Sequence, residues 1–114
     1  MPYLKITTNK SIDAGNKHSL LKLASRMVAS ELGKPEQYMM VSVESPVHML
    51  FAGTDEPCAF LELRAIGLPV SMTGKLSELL GGLVESQTGI RKDRVYLNFA
   101  DIPPHLWGWN GETF

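Results

Sequence analysis

The sequence predicts an α+β domain, a four-stranded mixed sheet covered on one face by two helices. Two segments repeat apolar residues at helical spacing, and four others alternate apolar with polar residues. The order is strand, helix, strand, twice over.

The first helical segment carries Leu20, Leu21, Ala24, Met27, Val28 and Leu32 at spacings of three and four, and Gly33 then Pro35 stop it. The second carries Leu76, Leu79, Leu80, Leu83 and Val84, with Thr73 read as its N-cap and Gly89 as its stop. Gly81 and Gly82 lie inside it, each costing about 1 kcal/mol relative to alanine. Close packing against a sheet is the expected reason for both.

Strands follow from period two. Leu4 and Ile6 oppose Tyr3, Lys5 and Thr7, and Met39, Val41 and Val43 oppose Met40, Ser42 and Glu44. Ala59, Leu61 and Leu63 oppose Phe60, Glu62 and Arg64, and Val95, Leu97 and Phe99 oppose Tyr96 and Asn98. One apolar face per strand means a sheet covered on one side. Aligning Gly33 with Gly89 superposes the two halves, as a duplicated βαβ unit would, split at about 1–57 and 58–114. Right-handed crossovers make the strands within each unit parallel. His48 to Phe51 reads as an extra short strand, Gly53 to Pro57 as a loop, and the tail from Pro103 as room for one more strand. The polar sheet face suits bulk water in a monomer or a hydrated lumen in an oligomer, and the residues alone do not choose.

The 114 residues fit a single domain spanning 1–114, and 44% apolar content supplies one modest core. A net charge of −1 and a pI near 6.3 speak against a nucleic-acid binder. The densest basic cluster, Arg91, Lys92 and Arg94, is interrupted by Asp93 and reads as a solvated turn. Cys58 is the only cysteine, which excludes an internal disulfide and a CxxC pair. No run approaches the roughly 18 apolar residues that span a bilayer, and no signal peptide opens the chain. A cytoplasmic protein without membrane partners is expected, with export by an unusual route compatible.

Most familiar constellations are missing. His18, His48 and His105 are scattered, so no metal is expected, and neither GxSxG, a P-loop nor a dinucleotide fingerprint is present, so no cofactor is expected. Position 2 stands out. Met1 is commonly excised before a small residue, and its loss would leave Pro2 as a terminal secondary amine at the start of a strand. A free α-amino group has a pKa of about 7.7–8.0, and an apolar pocket or a nearby cation lowers it toward a neutral base at physiological pH. Met-Pro starts are common, so the pair alone specifies nothing.

The wider pattern does. Met1-Pro2 with Thr8-Asn9, Gly33-Lys34-Pro35-Glu36-Gln37-Tyr38, Glu56-Pro57-Cys58-Ala59, Ile66-Gly67, Asp93 through Asn98, and Gly108-Trp109-Asn110 through Phe114 occur in order and at fixed spacing. Together they resemble the macrophage migration inhibitory factor family, which includes D-dopachrome tautomerase, over the whole chain with one insertion before Gly33.

The resemblance implies a homotrimer around a central channel, with active sites at subunit interfaces. It also implies keto–enol tautomerisation of phenylpyruvate-like 2-keto acids and dopachrome-like compounds, with Pro2 as catalytic base. Lys34 and the Ile66 backbone would then bind the substrate's carboxylate or carbonyl side. Tyr96 and Asn98 would come from the neighbouring subunit, and Tyr38, Trp107, Trp109 and Phe114 would form the rim. Each has an ordinary structural alternative: a helix-terminal cation for Lys34, outward strand residues for Tyr96 and Asn98, and packing for the rim aromatics. Family members in animals are also cytokines, so a signalling protein with vestigial activity and a protein receptor is the competing expectation.

Four departures stand out. Cys58-Ala59-Phe60-Leu61 replaces a CxxC motif, Tyr3 replaces a smaller residue, Trp107 stands where a valine is usual, and Arg64 replaces a histidine.

Overall fold

Alternation and helical spacing resolve into a mixed sheet flanked by two helices in the computed structural model, which describes every residue from Met1 to Phe114. Strands β1 (Pro2–Thr8), β2 (Met40–Glu44), β3 (Ala59–Ile66) and β4 (Val95–Ile102) form the sheet in the order β2-β1-β3-β4. Helix α1 (Ala14–Leu32) crosses from β1 to its parallel neighbour β2, and α2 (Thr73–Thr88) crosses from β3 to its parallel neighbour β4. The two βαβ units meet where β1 runs antiparallel to β3.

Both helices cover the same sheet face. Leu4 and Ile6 of β1 and Leu61 and Leu63 of β3 are buried with Leu20, Ala24 and Val28 of α1 and Leu76, Leu80 and Val84 of α2. These residues share a face because strand side chains alternate, so a one-residue slip would expose the whole set. The opposite face keeps Tyr96 and Asn98 exposed beside half-buried Lys5 and Glu62.

The ends of the helices fix where the chain turns. Asp13 caps α1, its carboxylate accepting from the Asn16 amide at 2.9 Å. Gly33 and Gly89 end the two helices at φ of 62° and 80°, left-handed values that glycine adopts without a Cβ penalty. Thr73 is not the cap of α2. A 3₁₀ turn, Val70–Met72, runs directly into the helix, Met72 takes the cap position, and the Thr73 hydroxyl donates to the Val70 carbonyl at 2.8 Å.

Other expectations are corrected as well. A Cβ placed on Gly81 or Gly82 would meet the Lys92 stem, at 3.7 and 3.6 Å, so these glycines face that side chain rather than the sheet. The segment from His48 to Phe51 is not a strand. It has no sheet partner, and only Phe51 and Thr54 bridge, closing a tight turn on Ala52 and Gly53 with φ of 53° and 75°.

Arg94 is not part of a solvated turn. It is 7% exposed, and its guanidinium donates to the carbonyls of Glu56 at 2.9 Å, Pro57 at 3.0 Å, Phe51 at 3.2 Å and Thr54 at 3.4 Å. A planar donor fork meeting four loop carbonyls holds that loop against the sheet edge. The tail forms a two-residue hairpin, β5 (Gly108–Trp109) with β6 (Glu112–Thr113), turned on Asn110 and Gly111.

Candidate functional site

Pro2 opens β1 opposite Ala65 and lies on the core side of the strand, its ring fully buried. Beside it stands the end of α1. The αL turn at Gly33 lets the Lys34 amide donate to the Ala29 carbonyl at 2.9 Å, which directs the Lys34 side chain toward the end of β3. There the ammonium donates to the Ile66 carbonyl at 2.8 Å. One of its three N–H donors is used, leaving the others for an incoming acceptor.

The amino group of Met1 sits close enough to respond. Partial burial first, and the Lys34 ammonium second, hold its pKa below the ordinary value of 8.0. Both effects disfavour the charged form of the amine.

Two hollows flank this terminus. A cleft of about 550 Å³ includes Pro2, Tyr3, Tyr38, Arg64, Trp107 and Trp109 in its lining. A hollow of about 370 Å³ includes Lys34, Ile66 and Phe114. Met1 and Tyr38 belong to both and form the partition between them. The rim aromatics brace one another, Trp109 standing edge-on to Tyr38 with ring centroids 5.9 Å apart and stacking on Phe114 at 6.2 Å.

A third hollow, about 480 Å³ beside Asn9, His48 and Asp55, lies away from this cluster. No hydrogen bond orients the His48 ring or the Asp55 carboxylate for chemistry there. Nowhere do three His, Cys, Asp or Glu side chains gather as a metal-ligand set.

Pro2, Lys34, Ile66, Tyr38, Trp107, Trp109 and Phe114 therefore converge on one end of the sheet, and Tyr96 and Asn98 do not. Tyr96 pairs in register with Phe60, whereas Pro2 pairs with Ala65. Those five positions correspond to about 17 Å of strand. Tyr96 instead contacts Phe51, ring centroids 4.6 Å apart, and is 61% exposed.

Some site features have weak sequence signals. The Tyr3 hydroxyl and the Ser42 hydroxyl lie 2.8 Å apart across β1 and β2, which fixes the ring beside the cleft. Their pairing depends on strand register and is invisible in either residue alone. Asn110-Gly111, a dipeptide suited to a two-residue hairpin, is the signal for the turn that brings Trp109 and Phe114 together.

The model of the family described as "Macrophage migration inhibitory factor (MIF)" matches residues 1–114. The chain belongs to this family. It is 37% identical over 118 residues to the macrophage migration inhibitory factor homolog of Brugia malayi, covering 100% of this chain and 99% of that one. Against the macrophage migration inhibitory factor of Mus musculus it is 36% identical over 115 residues, with the same coverage. The crystal structure of the homologue from Prochlorococcus marinus superposes with a TM-score of 0.94 at 42% identity, covering 98% of each chain. The βαβ pairs are thus this family's fold, matched over residues 1–114.

Proposed function

We infer that this member of the migration inhibitory factor family is a keto–enol tautomerase for phenylpyruvate-like 2-keto acids, with Pro2 as the general base. The observation that carries the reading is the setting of the terminus: a buried proline ring, an amine held below its ordinary pKa, and an unsaturated ammonium nearby. Excision of Met1 would move the amine onto Pro2 and open the partition between the two hollows. The nitrogen would then lie among the same apolar walls and beside the same cation, both of which favour its neutral form.

The proton inventory closes without a cofactor. Pro2 takes a proton from the carbon beside the ketone, that C–H pair becomes the C=C bond, and the carbonyl electrons pass to oxygen. The prolinium N–H then returns its proton to that oxygen, directly or through water. Lys34 holds the carboxylate or the developing oxyanion, and an ammonium in a partly water-free pocket does this better than in bulk solvent. Nothing is oxidised, so the lone Cys58 has no part in the reaction.

The reading extends to a homotrimer in which Tyr96 and Asn98 of a neighbouring copy close the site. An exposed tyrosine and amide on an open sheet face, far from Pro2 in their own chain, support it. So does an all-apolar hollow of about 310 Å³ running from Met49 and Leu50 to Tyr96.

The deciding experiment compares phenylpyruvate tautomerase rates for two preparations, one beginning at Pro2 and one retaining Met1, each verified by mass spectrometry. Loss of turnover in the Met1 form is expected, because an amide nitrogen delocalises its lone pair and is not basic. Equal rates would remove Pro2 from the mechanism, and turnover by neither preparation would leave a binding protein.

A further inference from the structure

Arg64 is the only charged side chain among the residues lining the large cleft beside Pro2. It lies on β3 two positions before Ile66, whose carbonyl holds the Lys34 ammonium. Two positions span about 7 Å of strand. Two cations therefore serve the two hollows that meet at Met1: Lys34 in the smaller, Arg64 in the larger.

The guanidinium is not committed elsewhere. It makes no hydrogen bond within the chain, and its nearest acid, Glu62, is 4.0 Å away with both side chains partly exposed. That separation is at the limit of an ion pair and too long for a hydrogen bond. The cleft around it is mostly apolar and aromatic, with Tyr3, Trp107 and Trp109 in its walls and the Gln37 amide as a further polar group. A planar fork of unused donors at the edge of such a cleft matches a carboxylate bidentately.

We propose that Arg64 is a specificity residue that selects aromatic 2-keto acids bearing a second carboxylate at the far end of the ring. This rests on the tautomerase reading, with Lys34 engaging the keto-acid end. The ring lies between the two hollows and the distal carboxylate meets Arg64.

The test compares phenylpyruvate with its 4-carboxy derivative in the Pro2-terminal protein. Wild type should favour the carboxylated substrate in kcat/KM. Arg64→Gln should lower that preference by roughly three- to tenfold, chiefly through KM, and Arg64→Lys should restore part of it. Added salt should erode the wild-type preference and leave that of Arg64→Gln nearly flat. Affinities for 3-phenylpropanoate and its 4-carboxy derivative, measured by titration, give a readout independent of turnover. Equal preference in wild type and Arg64→Gln by both measures overturns the proposal even where Pro2 proves to be the base. Tighter binding of the dicarboxylate to wild type than to Arg64→Gln, with no turnover of either keto acid, upholds the Arg64 subsite and defeats the proton-transfer reading.

Discussion

The Lys34 ammonium donates to the Ile66 carbonyl at 2.8 Å, tying the C-terminal end of α1 to the end of β3. This contact brings a cation to the amino terminus without a nearby acid to neutralise it. The positive charge depresses the amine's pKa, and in the proposed reaction it would also attract an anionic substrate.

Lys34→Met should separate these effects. Loss of a charge-assisted contact should lower kcat/KM for phenylpyruvate by about 10- to 100-fold at neutral pH. The low-side inflection of the pH profile should also rise. The folded terminus is held down first by burial and then by Lys34, so removing Lys34 returns the pKa part of the way toward the ordinary amine value. More of the base is then protonated at pH 7, and activity recovers as the pH rises. An inflection that stays in place would show that Lys34 does not act on the amine.

Asn98 tests the shared site. Asn98→Ala should weaken a hydroxyphenyl substrate more than a phenyl one, by about 0.5–1.5 kcal/mol, because only the former has a hydroxyl for the amide to bond. Light scattering should report three times the 12.6 kDa chain mass. A monomer in solution, or equal losses on both substrates, would remove Asn98 from the site.

Arg94 should matter for stability rather than turnover. Arg94→Met leaves the carbonyls of Phe51, Thr54, Glu56 and Pro57 without their shared donor. A loss of about 2–3 kcal/mol in denaturant unfolding is expected. A change within about 0.5 kcal/mol, the usual span of a surface substitution, would mean that the loop holds itself.

Gly82 offers the opposite sign. A Cβ there would meet the Lys92 stem at 3.6 Å, an ordinary contact, and Gly82 lies in helical backbone. Gly82→Ala should raise stability by about 0.5–1 kcal/mol, as expected for replacing a helical glycine. A lower unfolding midpoint would reveal a clash at this position.

Legibility followed distance along the chain. Leu4, Ile6, Leu61 and Leu63 announced a buried strand face because alternation is a local property, and Gly33 and Gly89 announced helix ends for the same reason. Pro2, Lys34 and the aromatic tail were recognisable through a pattern spread over the whole chain, although spacing alone gave no contact between them. Arg94 was misread because a cation among Arg91, Lys92 and Asp93 looks solvated, and its carbonyl partners lie 37 to 43 residues earlier. His48 to Phe51 was misread because an apolar run becomes a strand only where another backbone offers it hydrogen bonds.

By itself the amino-acid order determined the periodicities, the helix stops and the family pattern that marks Pro2. Only the tertiary structure decided that β1 pairs with β3, that Lys34 reaches Ile66 rather than solvent, and that Arg64 is the only charged side chain lining the cleft. Those are relations between residues brought together by sheet register, and register is set by burying one face of every strand at once.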